Sequence, residues 1–257
     1  MTELSKITSF THDHYRSILS AGLSNGYRFC SFEEIHALRG SNERACLLRH
    51  DCDNDLTAAR DVALIESDFG VRSTYFVMLR SAMYNALAPT GLKIINQIIE
   101  LGHHIGLHFD ESVFSSSADA ELRDQVDIER EILKREFGKS VSVVSFHQPG
   151  NRILENRIKI NCLNTYDRVD MKDVYYTSDS NLFFRGHDPC LLFKEGNHRL
   201  IQVLLHPEWW TVAELPLREK WARMLRNNLD MMQESLIERE AAFSNRIKVD
   251  FDCGDAD

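Results

Sequence analysis

The chain has 257 residues, of which 43% are hydrophobic and 27% are charged, and this composition fits one large α/β domain better than two small ones. Its 39 acidic residues outnumber its 30 basic residues, so we expect a surface that repels nucleic acid and anionic membranes. The sequence shows neither a secretory signal pattern nor a run of about 18 apolar residues, which predicts a cytoplasmic protein without a membrane span. The six cysteines lack Cys-x-x-Cys spacing, so we expect reduced thiols.

The predicted elements form a single domain of residues 1–257 in three parts. Residues 1–44, with a helix at 12–23, are predicted to cap the domain. From residue 45 to 210, strand-length apolar runs alternate with helical segments, a rhythm typical of parallel β/α units. The strands are predicted at 45–50, 72–79, 104–108, 141–147, 164–168, 174–177 and 200–206, and the helices between them at 56–69, 90–101 and 118–137. Residues 211–257 are predicted to contain one or two helices, at 214–242, and an acidic tail, at 250–257.

Four of the predicted strands end in histidine or aspartate. The runs are Cys-Leu-Leu-Arg-His-Asp-Cys-Asp at 46–53, His-Ile-Gly-Leu-His-Phe-Asp at 104–110, Val-Val-Ser-Phe-His at 143–147 and Ile-Gln-Val-Leu-Leu-His at 201–206. The carboxyl ends of parallel strands lie on one face of a β/α fold, so we expect these side chains to lie close together. The alternative is that the histidines bond only to nearby loops. Four such endings in one chain favour a functional site.

Asp51 and Asp53 are two residues apart on a predicted strand, so both carboxylates point to the same side of it. One carboxylate can bind a divalent cation, and the other can accept a proton from a water bound to that cation. The alternative is that Asp53 caps the helix that follows. Because Asn54 and Asp55 stand nearer to that helix, we expect one of them to be the cap and both earlier aspartates to be free.

Five segments in chain order resemble the motifs of the polysaccharide deacetylase family, one of the carbohydrate esterases. They are Arg-His-Asp-Cys-Asp at 49–53, Thr-Tyr-Phe at 74–76, Gly-His-His-Ile-Gly-Leu-His at 102–108, Phe-His-Gln-Pro-Gly at 146–150 and Leu-Leu-His-Pro at 204–207. The resemblance implies a distorted parallel (β/α) barrel, which usually has seven strands in this family. It also implies hydrolysis of an N-acyl or O-acyl group on a sugar, assisted by zinc or a similar divalent cation.

The same resemblance implies roles for individual residues. Asp51 corresponds to the general base, Asp53 and His108 to metal ligands, and His206 to the general acid that protonates the leaving group. Asp179 falls where the family often has an acidic residue that acts on the catalytic histidine, so we expect it to orient His206. The alternative for Asp179 is an ordinary turn residue.

One departure from the family pattern concerns the third metal ligand. The family usually has a second histidine four residues after the first, but Ser112 stands four residues after His108. His104 cannot replace it, since four residues of strand span about 13 Å. We expect His147 to be the third ligand, because it ends a neighbouring strand, with Asp110 as the second choice. Alternatively, His147 holds the base carboxylate in place, as an arginine does in the family; without either ligand the metal site is weak or absent.

Pro149, Trp209 and Trp210 are expected to contact the substrate, although adjacent tryptophans at a strand exit are equally typical of packing. Since a cytoplasmic enzyme does not reach a finished cell wall, the expected substrate is a nucleotide-linked or lipid-linked precursor of a surface polysaccharide. Two alternatives stay open. One is a barrel hydrolase that cleaves another carbon–nitrogen bond, and the other is a catalytically altered or silent carbohydrate-binding protein, which Ser112 favours.

Overall fold

The computed structural model describes residues 9–114, 118–184 and 188–240. Its strands are β1 (Arg28–Phe29), β2 (Ala45–Cys52), β3 (Thr74–Val77), β4 (His104–Asp110), β5 (Val143–His147), β6 (Leu163–Asn164), β7 (Val174–Ser178) and β8 (Leu200–Leu205). Its α-helices are α1 (His12–Ser24), α2 (Ile35–Arg39), α3 (Leu56–Asp68), α4 (Pro89–Glu100), α5 (Asp119–Phe137), α6 (Asn151–Leu154), α7 (Pro189–Glu195) and α8 (Leu217–Arg239). The predicted acidic tail at 250–257 lies outside the described residues.

The strands form one curled sheet in the order β6-β5-β4-β3-β2-β8-β7, and every pairing in it is parallel. The short strand β1 adds a parallel pairing to the start of β2. The predicted class, a distorted parallel (β/α) barrel with seven strands, is confirmed, and the sheet is a half-barrel. In the described part of the chain, β6 and β7 stand at its two ends and do not pair with each other.

The described part of residues 1–44, predicted to be a cap, supplies β1 to the sheet. Phe32, Ile35 and Leu38, at or near α2, are also buried against Leu47 and Phe76 on the inward side of the sheet. These apolar side chains fill the amino-terminal end of the barrel. Polar residues of the inward face are therefore left to the opposite end, where the strands finish.

The predicted strand at 164–168 is shorter in the structure, where β6 ends at Asn164. The side-chain oxygen of Asn164 accepts a hydrogen bond from the Tyr166 backbone N–H at 3.0 Å, which turns the chain out of the sheet. This turn frees Thr165 and Tyr166 to direct their side chains toward the barrel interior, where both bond to Arg49.

The turn after β2 is held from two sides. Asp55 is the N-cap of α3 and accepts a hydrogen bond from the Ala58 N–H at 2.9 Å, which confirms the predicted cap. The Nδ2 group of Asn228, on α8, donates to the Asn54 carbonyl oxygen at 2.8 Å. Asp53 is therefore not used for capping, and its backbone is fixed by its neighbours.

Gly106 allows the ring of Phe76 to pack closely against β4 in the barrel interior. A β carbon at Gly106 would lie 2.5 Å from Cε1 of Phe76, so only glycine leaves room for that ring. The guanidinium carbon of Arg49 lies 5.4 Å from the centre of the same ring. The polar residues of the interior therefore begin next to the aromatic ring of Phe76.

Two expectations from composition can be compared with the described residues. Among them, no helix is both long enough and apolar enough to cross a membrane. Their five cysteines are free thiols, as predicted, and three of the five are buried.

Candidate active site

Four side chains from different strands meet at the carboxyl-terminal end of the sheet. Oδ1 of Asp53, just after β2, lies 2.8 Å from Nε2 of His108 in β4 and 3.4 Å from Nδ1 of His147 at the end of β5. Oδ2 of Asp53 lies 3.8 Å from Nε2 of His206, which follows β8. The parallel strands therefore bring together residues that are up to 153 positions apart in the chain, from Asp53 to His206.

Asp53, His108 and His147 form a group that can hold a metal ion. Each offers one ligand atom, and the three atoms lie within 4.8 Å of one another. Two imidazole nitrogens and one carboxylate oxygen are a donor set that suits zinc. Asp110, the second choice for the third ligand, is not in this group; it accepts a hydrogen bond from the Ser112 N–H at 2.9 Å instead.

The hydrogen bonds around Ser145 determine which nitrogen of His108 is available as a ligand. The Ser145 hydroxyl lies 3.2 Å from Oδ2 of Asp51 and 3.1 Å from Nδ1 of His108, and it accepts a bond from Arg49. If the hydroxyl donates to the carboxylate, Nδ1 of His108 carries its hydrogen and Nε2 has the lone pair. Two atoms with lone pairs, Nε2 of His108 and Oδ1 of Asp53, then stand 2.8 Å apart and need a proton or a cation between them.

Asp53 also has the burial expected of a ligand. Its side chain is 13% exposed, and its Oδ1 atom faces the imidazole nitrogens of His108 and His147. Burial alone would raise the pKa of Asp53, but hydrogen bonds from His108 and His147 outweigh it and lower the pKa. The residues present therefore fit a divalent cation. His147 is 26% exposed, so the group is accessible from solvent on that side.

Asp51 is a buried carboxylate held as an anion. Arg49 binds it through two bonds, Nε to Oδ1 at 2.8 Å and Nη2 to Oδ2 at 2.7 Å. The two side chains are 0% and 3% exposed, so water screens this pair very little. Burial favours the neutral carboxyl, but the charge of Arg49 outweighs this effect and lowers the pKa of Asp51.

Arg49 was not among the predicted site residues, although strand alternation provides the signal for it. It precedes Asp51 by two residues on the same strand, so it points to the same side. Besides the carboxylate, it donates to Thr165 Oγ1 and to the Tyr166 hydroxyl, both at 2.9 Å. Arg49 therefore makes the contact with the Asp51 carboxylate that the sequence analysis gave as the alternative role of His147.

His206 is held in place by the buried carboxylate of Asp179. Its Nδ1 lies 2.6 Å from Oδ1 of Asp179, and its backbone N–H also donates to that carboxylate. Burial of His206 disfavours its protonation, but the adjacent charge of Asp179 outweighs this effect and raises the pKa to about 10. The ring is therefore a cation at neutral pH, and its Nε2 is directed toward the Asp53 side of the site.

The three residues expected to contact the substrate differ in their exposure. Trp210 does not face the site, because it is 1% exposed and its ring packs against Tyr15 at 5.3 Å. Its indole N–H donates to Asp179 at 3.0 Å, so Trp210 supports the carboxylate that holds the histidine. Trp209 is half-buried and packs edge-on against Trp221 at 5.1 Å, and Pro149, two residues after His147, is also half-buried.

Glu208 is a further carboxyl group near the site that the sequence analysis did not single out. It is 2% exposed, and its Oε1 accepts a hydrogen bond from Asn54 at 2.8 Å. Burial raises its pKa to about 8, and the charge of Asp53 adds to the effect. Its position two residues after His206 is the sequence feature that could have indicated that it lies near the site.

A second buried network lies on the outer side of β2. Glu66 accepts hydrogen bonds from His50 Nε2 and from the Tyr75 hydroxyl, both at 2.7 Å, and from the Tyr15 hydroxyl. Burial would raise the pKa of Glu66, but His50 outweighs it and the pKa is lowered to about 2. His50 points away from Asp51, as strand alternation requires.

Fold and site together define the class: a parallel β/α barrel with a candidate metal centre at the carboxyl ends of its strands. No family model and no curated protein sequence matches the chain. Among solved structures, the deacetylase PplD of Streptococcus pyogenes, in complex with acetate, is 13% identical with a TM-score of 0.47, and the match covers 76% of this chain and 81% of that one.

Two further solved structures are similar in the same way. The chitin deacetylase of the fungal pathogen Colletotrichum lindemuthianum is 18% identical with a TM-score of 0.40, covering 71% of this chain and 81% of that one. A pseudoenzyme of carbohydrate esterase family 4 from Bacillus anthracis is 13% identical with a TM-score of 0.39, covering 76% of this chain and 64% of that one. These structures are of the kind that the sequence motifs resemble.

Proposed function

We propose that the protein is a metal-dependent hydrolase that removes an N-acyl or O-acyl group from an amino sugar. The observation that carries the proposal is the arrangement of three groups at one rim. A three-residue ligand set, Asp53, His108 and His147, stands between a buried carboxylate, Asp51, and a protonated imidazole, His206. Hydrolysis of an amide or ester needs these three functions: an electrophile, a base and an acid.

Asp53, His108 and His147 would hold the cation, most suitably zinc. A cation held there would polarise the acyl carbonyl and make the attacking water more acidic. The hydrogen bond between Nδ1 of His108 and Ser145 orients the imidazole, as a bond to the other ring nitrogen usually does for a histidine that binds a metal. The same serine contacts Asp51, so it connects the ligand set with the base.

Asp51 is the proposed base. It accepts a proton from the attacking water, whose oxygen forms a bond to the acyl carbon. Arg49 keeps the carboxylate ionised before the reaction and holds both of its oxygens in place. Since the side chain is buried and fixed by two short bonds, little reorganisation is needed when the proton arrives.

His206 is the proposed acid. As the bond between the acyl carbon and the leaving nitrogen or oxygen breaks, Nε2 of His206 donates its proton to the leaving atom. The products are then a carboxylic acid and a free amine or hydroxyl group. Asp179 holds Nδ1 and stabilises the charged ring, so Nε2 is the nitrogen directed into the site.

The finer proposal concerns the substrate, a nucleotide-linked or lipid-linked precursor of a surface polysaccharide. A cavity of about 410 Å³ beside His147 supports a substrate of sugar size. Its lining includes Asp110, Ser112, Gln148 and Arg152, which offer hydrogen-bonding groups for sugar hydroxyls. The choice of a precursor as substrate rests on the cytoplasmic location, which stays a prediction from the sequence.

The test combines metal analysis with product detection on the purified full chain. We expect about one divalent ion per chain and release of acetate from N-acetylglucosamine derivatives. The variant Asp51→Asn should keep the ion and lose turnover, whereas Asp53→Asn should lose the ion. Asp110→Asn is the matched control, because it removes a carboxylate of the same cavity that lies outside the ligand set.

The outcomes separate the alternatives. A metal-free, inactive protein that still binds sugars would support the silent carbohydrate-binding alternative. A metal-loaded protein that cleaves a cyclic amide but releases no acetate would support the other hydrolase. Loss of the ion in Asp110→Asn but not in Asp53→Asn would contradict the ligand set.

A further inference from the structure

The open edge of the half-barrel contains a second cavity. Because β6 and β7 are not paired in the described structure, a gap of about 300 Å³ passes between them on the side of the barrel. We call it the lateral slot, and its walls are Thr165, Tyr166, Met171, Val174, Tyr176 and Gln202. None of these residues belongs to the candidate ligand set or to the proposed acid and base.

Gln202 provides an unused acceptor in the lateral slot. It lies on β8 and is only 2% exposed, yet it lines the slot. Its Nε2 donates a long bond, 3.5 Å, to the Thr165 carbonyl oxygen, while its Oε1 is buried without a donor among the described residues. An unpaired buried acceptor costs free energy unless a ligand or water supplies the donor.

Two tyrosines give the slot aromatic walls. Tyr176 is 43% exposed, so its side chain offers an accessible aromatic surface. The Tyr166 hydroxyl accepts a bond from Arg49, which leaves its own hydrogen free to donate. Aromatic faces beside one fixed amide and one hydroxyl are suited to a ring that carries hydroxyl groups.

The charges around the slot point to a neutral ligand. At its rim, the carboxylate of Asp167 accompanies the cation of Arg168, and these charges offset each other. Arg49, the buried cation next to Tyr166, is already neutralised by Asp51. The residues that line the slot therefore carry no net charge that would favour an anion or a cation over a neutral ligand.

We propose that the lateral slot is a binding site for a neutral sugar ring, separate from the site at the strand ends. A ring hydroxyl donates to Oε1 of Gln202, and the C–H face of the ring packs on Tyr176. A bound ring also contacts Tyr166, whose hydroxyl is bonded to the arginine that holds Asp51. The inference does not depend on the proposed hydrolase activity, since it concerns binding alone.

Glucose is the probe, because it has no acyl group and cannot be a substrate of the proposed reaction. Binding to the full chain is measured by titration calorimetry and by ligand-observed NMR. We expect saturable binding by the unmodified protein, weakened at least tenfold in Tyr176→Ala and in Gln202→Leu. Tyr176→Phe, which keeps the ring, and Asp53→Asn, which alters only the strand-end site, should bind like the unmodified protein.

Circular dichroism and thermal unfolding show whether each variant is folded. Tyr176→Ala changes a half-exposed position and remains informative if the buried substitution Gln202→Leu does not fold. The proposal is overturned if the unmodified protein shows no saturable binding of glucose, or if folded Tyr176→Ala binds it as tightly. It is also overturned if Asp53→Asn abolishes binding, since the sugar would then occupy the strand-end site.

Discussion

Replacement of Arg49 by methionine tests how the carboxylate of Asp51, the proposed base, is held. Methionine keeps much of the volume of the side chain but removes both bonds to Asp51, leaving a carboxylate that is 3% exposed without its cation. Removing one partner of a buried ion pair costs about 3–5 kcal/mol. Because both side chains are buried, no reduction for solvent screening applies. At about 2–4 °C per kcal/mol for a chain of this size, the melting temperature should fall by roughly 6–20 °C.

The pH dependence of this loss has a definite sign. In the unmodified protein the pKa of Asp51 is lowered, so its stabilising contribution is present at neutral pH and is lost as the pH falls below the ordinary carboxyl range. In Arg49→Met, the largest effect that opposes burial is lost, so the pKa of Asp51 should be higher than in the unmodified protein. The stability difference between the two proteins should therefore shrink as the pH is lowered.

Urea denaturation of both proteins at pH 7 and pH 4.5 measures the effect, with Arg49→Met/Asp51→Asn as the control. The double variant has no buried charge at either position, so it should be more stable at pH 7 than the single variant. A cost below about 1 kcal/mol for Arg49→Met at pH 7, or a cost that does not change with pH, would refute the claim that Arg49 holds a buried anion.

Three other substitutions test separate parts of the structure. Asp179→Asn removes the charge that raises the pKa of His206 to about 10, so the alkaline limb of the pH–rate profile should move to lower pH; an unmoved limb would exclude His206 as the acid. Glu66→Gln should cost at least about 3 kcal/mol in urea at pH 7. The pKa of Glu66 is lowered to about 2, so the difference in unfolding free energy between the two proteins should become smaller below pH 4.5. A difference that does not change with pH would show that the charge of Glu66 does not cause the stabilisation. Gly106→Ala places a β carbon 2.5 Å from Phe76 and should lower stability by about 1–3 kcal/mol, whereas equal melting temperatures would mean that the ring moves freely.

The fold class was predictable because its signals are local. The alternation of strand-length apolar runs with helical segments follows directly from the periods of the two structures, and α3 and α5 each begin within one residue of the predicted start. The helical cap at Asp55 was predictable for the same reason, since capping involves residues three apart. The strand at 164–168 failed because a side-chain bond of Asn164 ended it early.

The strand-end rule also predicted which polar residues would meet. Asp53, His108, His147 and His206 occupy the carboxyl ends of parallel strands, and the common direction of those strands is sufficient to place them at one rim. The sequence by itself therefore predicted that these four residues meet, although it did not single out Arg49 and Glu208. It did not determine the partners of each group, because these come from other strands at distances that depend on sheet curvature.

Only the tertiary structure decided how the charges are balanced. Ser145 contacts both Asp51 and His108 because β4 and β5 pair in register, and Trp210 reaches Asp179 after the helical turn Pro207–Trp209 that follows β8. Exposure was likewise undetermined in the sequence, so adjacent tryptophans looked equivalent although one is buried. Alternation along a strand specifies the face on which a side chain lies, while curvature and packing specify what that side chain touches.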